Sequence, residues 1–203
     1  MKKIVSQVEF GIGQDGWQPA VLTLPDGTQV SFRGKIDRVD ADSAGERALV
    51  LDYKTGGSYS YRNLKDDPID RGQRLQLAIY SLAARQALGA QARDKYPDVS
   101  AAYWFVTSGG KFELVPAQPV NIESEGVMER FSEGISTIVG GIRQGLFPAN
   151  PGPGDPNSSN NRQTNCRFCD FKTLCPSRRD VQWQRKSRAS ALTNYLRLTG
   201  DEP

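Results

Sequence analysis

The chain has 203 residues, of which 37% are hydrophobic and 24% are charged, and its 26 basic and 23 acidic side chains give a net charge of +3. This length predicts one domain with a core of its own, and the composition is ordinary for a folded protein. The sequence has no apolar run as long as a membrane span and no secretion signal at its start, MKKIVSQVEF. We therefore expect a cytoplasmic protein with no membrane partner.

The sequence contains no histidine. This excludes imidazole general bases, Ser–His and Cys–His nucleophile pairs, and histidine ligands to a metal. Any hydrolysis would therefore depend on carboxylates, lysine and a bound metal ion.

Strand patterns fill the first part of the chain. Residues 4–12 and 18–24 alternate between apolar and polar, and the turn PDGT at 25–28 leads into a further strand at 30–39. A polar turn, DADSAGE, separates that strand from another at 47–55. Two such runs around a polar turn predict a β-hairpin at the centre of a sheet.

The hairpin carries the candidate chemistry. Asp37 lies late in its first strand, and Asp52 and Lys54 lie two residues apart in its second strand, so the latter two point to one face. Two carboxylates brought together repel each other unless a cation neutralises them, and Mg²⁺ prefers oxygen ligands. The pattern predicts Mg²⁺ held by Asp37, Asp52 and the backbone carbonyl of Tyr53, with Lys54 stabilising charge on an attacked phosphate. The simpler alternative is a solvated hairpin whose charges pair with one another.

A polar segment follows the hairpin, and the sequence predicts a loop there. It interleaves aromatic and basic side chains, as grooves that bind a single nucleic-acid strand do: Tyr59, Tyr61, Arg62 and Lys65. We expect these four side chains to contact such a strand.

A helix is predicted over residues 69–88. Pro68 suits its first turn, and Gly89 is expected to end it. Gln76 and Tyr80 lie four residues apart and share one stripe of this helix.

The remaining elements of the predicted core have no candidate chemistry. Strands at 99–107 and 111–115, joined by a hairpin turn at SGG, would complete the sheet. A second helix at 122–146 has an apolar face that includes Ile142, which predicts packing on the core.

The last part of the chain differs in composition. Residues 150–165 are rich in Pro, Gly, Ser and Asn, which predicts a flexible linker. Residues 162–197 contain nine Lys or Arg against two acids, a net charge of +7 (9 − 2), which suits a surface that follows phosphates. A basic amphipathic helix is predicted from residue 177.

All three cysteines lie in this region, at Cys166, Cys169 and Cys175, with the spacing C-x2-C-x5-C-P. In a cytoplasmic protein, clustered thiols are more often metal ligands than disulfide partners. Three thiolates are one short of the four that a structural zinc or a [4Fe–4S] cluster requires.

Three motifs together carry a family resemblance: GKIDRVD around Asp37, LDYKTG around Lys54, and QLAIY beginning at Gln76. In this order they resemble the PD-(D/E)xK nucleases of the RecB type, and in particular the nuclease module that closes bacterial helicase–nuclease chains of the RecB/AddB class. The resemblance covers most of the chain.

The resemblance implies an α/β fold: a restriction-endonuclease-like core with a mixed central β-sheet flanked by helices, and a small C-terminal extension that contains the cysteines. It implies Mg²⁺- or Mn²⁺-dependent cleavage of DNA, by an exonuclease acting on a single strand. A helicase in the same chain or in a partner subunit would deliver that strand during double-strand break processing and recombinational repair. Gln76 and Tyr80 match a family motif that borders the active site, and Glu9 matches a glutamate just ahead of the Asp strand.

The resemblance also implies a [4Fe–4S] cluster on Cys166, Cys169, Cys175 and a fourth, upstream cysteine, which this sequence lacks. We therefore expect either a piece of a longer polypeptide or a member that has lost the fourth ligand, with the cluster absent or labile in the chain as it stands. The expected divisions are a nuclease core at 1–149, the linker at 150–165, and a cysteine motif with a basic helix docking on the core at 166–203.

Three other interpretations stay open. The same fold could be a catalytically inactive DNA-binding or scaffolding module of a helicase–nuclease complex, although intact Asp37, Asp52 and Lys54 argue against this. A stand-alone CRISPR-adaptation nuclease shares the fold and the cysteine pattern. A zinc-bound module built on the cysteines would leave the hairpin acids unexplained.

Overall fold

The computed structural model of the protein describes residues 1–91, 98–154, 163–167 and 169–201. The chain forms two compact units, and the division lies between Ser136 and Thr137. The predicted boundaries around the linker, and the docking of the C-terminal region on the core, stay predictions. No helix in the described ranges is long and apolar enough to cross a membrane.

The first unit is a sheet protein with a buried crossover helix. Its strands are β1 (Lys2–Phe10), β2 (Ala20–Thr23), β3 (Gln29–Phe32), β4 (Gly34–Ala41), β5 (Arg47–Lys54), β6 (Asp98–Phe105) and β7 (Leu114–Asn121). The helix α1 (Gln76–Gln91) lies between β5 and β6 in the chain, and α2 (Val127–Arg143) follows β7.

The central sheet has the strand order β1-β4-β5-β6-β7. Only β5 and β6 pair in parallel, and the other neighbours are antiparallel. Parallel neighbours need a long crossover connection, and α1 supplies it. The predicted α/β fold with a mixed central sheet is therefore confirmed.

The predicted β4–β5 hairpin is also confirmed, and its turn explains why it forms. Asp42 accepts the backbone N–H of Glu46 at 2.9 Å, and Gly45 has a φ of +75°, a conformation that favours glycine. The register pairs Val39 with Val50, so these two side chains share one face of the sheet.

The strand predicted at 30–39 is in fact two strands in two sheets. β3 ends at Phe32 and pairs with β2 in a separate two-stranded sheet, whereas β4 begins at Gly34 in the central sheet. The ring of Phe10 lies against Gly34, where an added Cβ would come within 2.9 Å of it. Strand-like residues continue through the junction, so the sequence pattern could not show the break.

α1 begins at Gln76, later than the predicted start at residue 69. Asp70 and Arg71 have φ values of +43° and +56°, which a right-handed helix cannot contain. The Asp67 carboxylate accepts the N–H groups of Ile69 and Arg71 instead, at 3.1 and 2.8 Å. The proline before this segment therefore opens a turn rather than the helix.

α1 is anchored to the sheet through a buried serine. Ser81 donates a hydrogen bond to the carbonyl of Val99 in β6 at 2.9 Å and accepts the N–H of Ile122 at 3.0 Å. All three residues are buried. The helix also runs past Gly89 to Gln91, so the predicted end at the glycine is wrong.

The connection from β6 to β7 is wider than the predicted hairpin turn. SGG forms a 3-10 turn, Ser108–Gly110, and Lys111 and Phe112 then adopt left-handed φ values of +58° and +54°. This wider turn places β7 at 114–121 rather than at 111–115.

α2 is shorter than the helix predicted at 122–146. Gly126, with a φ of +74°, turns the chain immediately before the helix begins. Phe131 and Ile135 are buried, but Ile142 is 57% exposed. The sequence had predicted that this whole apolar face packs on the core, and that prediction is wrong at Ile142.

The second unit contains α3 (Arg179–Lys186) and α4 (Thr193–Thr199) in place of the single predicted helix. Ala189 has an extended backbone, which ends the first helical segment. The bend lets the rings of Trp183 and Tyr195 meet edge to face, with their centroids 6.2 Å apart. A continuous helix could not make this contact.

The two described ends of the predicted linker are held together. Gly154 and Gln163 form a β-bridge, and the N–H of Thr164 donates to the carbonyl of Pro153 at 2.9 Å. The interior of that prediction, residues 155–162, lies outside the described residues.

Replacing Ser81 with alanine should lower the free energy of unfolding by about 1–3 kcal/mol, because the buried Val99 carbonyl and Ile122 N–H would each lose a partner. Urea denaturation measures this change. The matched control is Ser6→Ala, at an exposed position in β1, which should change stability by less than about 0.5 kcal/mol. Equal effects at the two serines would contradict the anchoring role.

Candidate active site

The β4–β5 register brings Asp37 and Asp52 to the same face of the sheet. Asp37 lies two residues before Val39, and Asp52 lies two residues after Val50. Both acids therefore have their side chains on the same face of the sheet as these paired valines. Lys54 comes two residues after Asp52 and continues the row. α1 contacts β5 and β6, and its first residues reach these side chains. The predicted trio is therefore gathered at one place.

Asp52 is the buried member of the trio, with 6% of its surface exposed. Its Oδ1 accepts a hydrogen bond from Gln76 Nε2 at 2.8 Å. Its Oδ2 lies 2.6 Å from Lys54 Nζ, which is an ion-pair distance, but without the angles of a hydrogen bond. The positive charge of the ammonium offsets part of the cost of burying this oxygen.

Gln76 is the hub of the hydrogen-bond network. Its Nε2 donates to Asp52 Oδ1 and to the Tyr80 hydroxyl at 2.8 and 2.9 Å, and its Oε1 accepts from Lys54 Nζ at 3.1 Å. Tyr80 in turn donates to the backbone carbonyl of Lys35 at 2.6 Å. The Gln76 amide thus connects α1 to β5 directly, and its partner Tyr80 connects the same helix to β4.

The surroundings shift the acidity of two members of the network. Burial raises the pKa of Asp52, the ion pair with Lys54 opposes this, and the negative charge of Asp37 adds to it. Burial likewise raises the pKa of Tyr80. The Tyr80 hydroxyl therefore stays protonated at neutral pH and keeps its hydrogen bond to Lys35.

Asp37 is half-buried and holds the end of the neighbouring strand. The β4–β5 pairing ends at Arg38 and Leu51, and Asp37 Oδ2 accepts the next available N–H, that of Tyr53, at 3.0 Å. The side chain of Tyr53 points to the opposite face, where its ring centroid lies 5.8 Å from that of Trp104. The main chain of Tyr53 thus lies beside Asp37, as alternation along β5 predicts.

Glu9 is not part of this network. It lies opposite Lys35 in the β1–β4 pairing, and β4 separates its strand from that of Asp52. Its side chain is exposed and makes no hydrogen bond or ion pair with the described residues.

The predicted loop after β5 contains a 3-10 helix, Tyr59–Lys65. Tyr59 is 74% exposed, and the guanidinium of Arg62 lies 4.1 Å above its ring. Lys65 is also exposed and forms a loose ion pair with Asp66 at 3.7 Å. These three predicted contacts therefore face solvent together.

Tyr61, in the same segment, points inward instead. Its ring meets those of Tyr103 and Phe105 edge to face, at 5.0 and 5.2 Å between centroids. Arg74 covers it, with Cζ 3.7 Å from the ring centroid.

Comparison with known proteins assigns the family. The model of the PD-(D/E)XK nuclease superfamily matches residues 3–176 of the chain. The chain belongs to the PD-(D/E)XK nuclease superfamily. Asp37, Asp52 and Lys54 lie inside the matched region.

Several curated relatives are named as one of the subunits of an ATP-dependent helicase/deoxyribonuclease. The protein from Symbiobacterium thermophilum is 36% identical over 85 residues, which cover 40% of this chain and 7% of that protein. The protein from Desulforudis audaxviator is 36% identical over 105 residues, which cover 50% of this chain and 8% of that protein. The protein from Thermoanaerobacter sp. is 32% identical over 93 residues, which cover 45% of this chain and 8% of that protein. The matched region is thus less than a tenth of these relatives' length.

The acids suit the divalent metal that PD-(D/E)XK nucleases typically use. Two carboxylates share one face, and Asp52 presents a buried oxygen that no described residue protects with a hydrogen bond. Among the described residues, no group of three or more His, Cys, Asp or Glu is placed to hold a metal ion. The two carboxylates offer the oxygen ligands that hard divalent cations prefer.

Two residues near the site carried no signal in the sequence. Tyr103 is the partner of Asp52 in the parallel β5–β6 pairing, and its ring lies 4.7 Å from Lys54 Nζ. Arg74, just before α1, stacks on Tyr61. The pairing of strands separated by a whole helix cannot be derived from local patterns, so only the register shows these neighbours.

The three cysteines line one cavity of about 120 Å³ in the second unit. The thiols are partly exposed and form no disulfide. Arg179 also lines the cavity, and its buried Nε has no hydrogen-bond partner among the described residues. The sulfurs as placed do not form a closed group of metal ligands. Thiolates as a residue type are ligands of thiophilic metals such as zinc and iron.

In the absence of divalent metal, Asp52→Asn should stabilise the protein at neutral pH. The folded-state pKa of Asp52 is raised, so the carboxyl binds its proton more readily in the folded chain than in the unfolded one. Ionisation therefore lowers stability as pH rises through the folded-state pKa. Below the ordinary value of 3.8, both states are protonated and the difference disappears.

Thermal melting in EDTA, from about pH 7 to about pH 3.5, tests this dependence. The advantage of Asp52→Asn should shrink steadily on acidification. The control is Asp15→Asn, at an exposed position, which should give no comparable gain. A wild-type protein more stable than Asp52→Asn at neutral pH would contradict the prediction.

Proposed function

We propose that this protein is a metal-dependent DNA nuclease, and more specifically an exonuclease that processes the ends of broken DNA together with a helicase. One arrangement supports this above all: Asp37, Asp52 and Lys54 share a face, and the buried Oδ2 of Asp52 lies 2.6 Å from the lysine ammonium. A structural ion pair would not require a second carboxylate at the same place.

Asp37, Asp52 and the backbone carbonyl of Tyr53 would hold the metal ion, Mg²⁺ or Mn²⁺. When bound, the ion supplies a Lewis acid that lowers the pKa of water and neutralises phosphate charge. Lys54 Nζ places a fixed positive charge beside the same oxygens, where it can stabilise the charge that develops on the phosphate. Gln76 keeps carboxylate and ammonium in place because it bonds to both.

Contacts to the DNA strand are proposed for the 3-10 helix beyond the site. Tyr59 offers an exposed ring on which a base can stack, and Arg62 and Lys65 offer positive charge to the phosphates. The exposure of all three side chains supports this role.

A helicase partner is proposed from the relatives. Their names pair a helicase with a deoxyribonuclease, and this chain matches less than a tenth of their length. We propose that a helicase motor, in the same polypeptide or in a partner subunit, delivers single-stranded DNA to this site. The setting would be recombinational repair in the cytoplasm.

We also propose that Cys166, Cys169 and Cys175 bind a [4Fe–4S] cluster that pins the C-terminal segment. Their shared cavity supports this, and so does Arg179, whose buried Nε offers positive charge beside the thiolates. The fourth iron needs a ligand from elsewhere.

The second candidate is a catalytically inactive, DNA-holding module of the same fold. One observation favours it: the ammonium of Lys54 already pairs with the Asp52 oxygen that a metal ion would use. Cleavage of single-stranded DNA distinguishes the two candidates.

Wild-type protein should cleave end-labelled single-stranded DNA with Mg²⁺ or Mn²⁺ and not with EDTA. Asp52→Ala and Lys54→Ala should each lower the rate by about 100-fold or more, because the first removes a ligand of the metal ion and the second removes the ammonium beside the reacting phosphate. The control variant is Asp15→Ala, which removes an exposed carboxylate and should cleave as the wild type does. Absence of cleavage by folded wild-type protein with either metal would contradict the nuclease and favour the inactive module.

After anaerobic reconstitution with iron and sulfide, the protein should contain iron and acid-labile sulfide in equal amounts and absorb visible light. Cys169→Ser should lower both contents, because it removes one thiolate ligand. Asp52→Ala is the control and should leave both contents unchanged. Three titratable thiols and no bound iron after reconstitution would contradict the cluster, and bound zinc alone would point to a zinc site.

A further inference from the structure

Two aromatic rings in contact, with one cation at each end, form a row that leads away from the active-site lysine. Its four members, in order, are Lys54, Tyr103, Tyr61 and Arg74, and we name them the cation–aromatic row. Lys54 Nζ lies 4.7 Å from the ring centroid of Tyr103, and Arg74 Cζ lies 3.7 Å from that of Tyr61. The two rings meet nearly edge to face, 5.0 Å apart with 70° between their planes.

The fold places Tyr103 under the lysine through strand register. The parallel pairing sets Tyr103 beside Asp52 and Phe105 beside Lys54. Tyr103 is only 2% exposed, so its ring cannot swing away. Tyr61 packs against Tyr103 and Phe105 of β6 and closes the outer side.

Burial raises the pKa of the Tyr103 hydroxyl, and the negative charge of Asp52 raises it further, so the ring is uncharged at neutral pH. The ammonium lies over the face of this ring, which attracts a cation through its quadrupole.

Lys54 depends on this ring because its other contacts leave one side open. Asp52 Oδ2 and Gln76 Oε1 hold Nζ at 2.6 and 3.1 Å. The lysine side chain is still 25% exposed, and its four-carbon stem is flexible. Without the aromatic face, the ammonium could rotate toward solvent and away from the reacting phosphate.

We propose that Tyr103 is a positioning residue of the active site, whose ring fixes the ammonium of Lys54, and that Tyr61 and Arg74 brace that ring. This rests on the proposed nuclease function. It also assigns Tyr61 to internal packing, and it leaves Tyr59 as the ring that is available to a DNA base.

The test compares Tyr103→Leu with Tyr103→Phe. Loss of the ring should lower kcat about tenfold or more with KM unchanged, because the misplaced ammonium matters in the transition state and not for DNA binding. Tyr103→Phe keeps the π-face and should retain the wild-type kcat. Phe112→Leu makes the same kind of change at an exposed aromatic residue and should leave both constants unaltered.

Proton NMR gives a readout that does not need activity. The ε-methylene protons of Lys54, assigned by their disappearance in Lys54→Ala, should be shifted upfield by the Tyr103 ring. The shift should persist in Tyr103→Phe and Phe112→Leu and disappear in Tyr103→Leu. Tyr61→Leu, at a partly exposed site, should reduce both the upfield shift and kcat. This variant takes the place of Tyr103→Leu in the test if Tyr103→Leu does not fold.

The outcomes separate the two proposals. An active enzyme in which Tyr103→Leu keeps the wild-type kcat, or whose Lys54 signals are unshifted, would overturn the positioning role. An inactive wild-type protein with the Tyr103-dependent shift would overturn the nuclease proposal while supporting the lysine–ring contact.

Discussion

The arrangement of the active site in the first unit depends on the burial of one carboxylate, that of Asp52. Asp52 lies in the interior of a sheet, where its charge is unfavourable, and burial raises its pKa in consequence. Lys54 and Gln76 offset part of that cost, but one oxygen keeps no hydrogen-bond donor among the described residues. Sites of this kind trade stability for chemistry, because the group that destabilises the fold is the one that can bind a cation.

α1 makes this arrangement possible because it fixes the amide that the charged groups share. The left-handed residues Asp70 and Arg71 delay the start of the helix until Gln76, which therefore lies at its first turn beside Asp52. Tyr80, one turn later, anchors the same amide to the backbone of Lys35. In a helix that began at residue 69, Gln76 would lie about two turns inside the helix and not in its first turn.

The basic and aromatic segment after β5 shows how local geometry divides one sequence pattern into two roles. In a 3-10 helix, side chains three residues apart lie one above the other. Arg62 accordingly stacks on Tyr59 at the surface, whereas Tyr61 points inward to Tyr103. A segment that looks uniformly suited to nucleic acid thus contributes one exposed stacking pair and one inward-pointing, partly exposed ring.

Local sequence patterns were enough to predict the hairpin and the grouping of Asp37, Asp52 and Lys54, whereas the α/β fold was predicted through the family resemblance. These features follow from alternation along adjacent strands joined by a short turn, and both strands are close together in the chain. The place of Gln76 near the acids was predicted through a family resemblance rather than through geometry.

Packing between distant parts of the chain determines which side chains come into contact in the active site. The break between β3 and β4, the late start of α1 and the two C-terminal helices depend on packing that propensity does not contain. Tyr103 could not be predicted from the sequence, because parallel pairing joins strands with a whole helix between them. The residue that lies beneath Lys54 is therefore fixed by sheet register, and no local pattern encodes it.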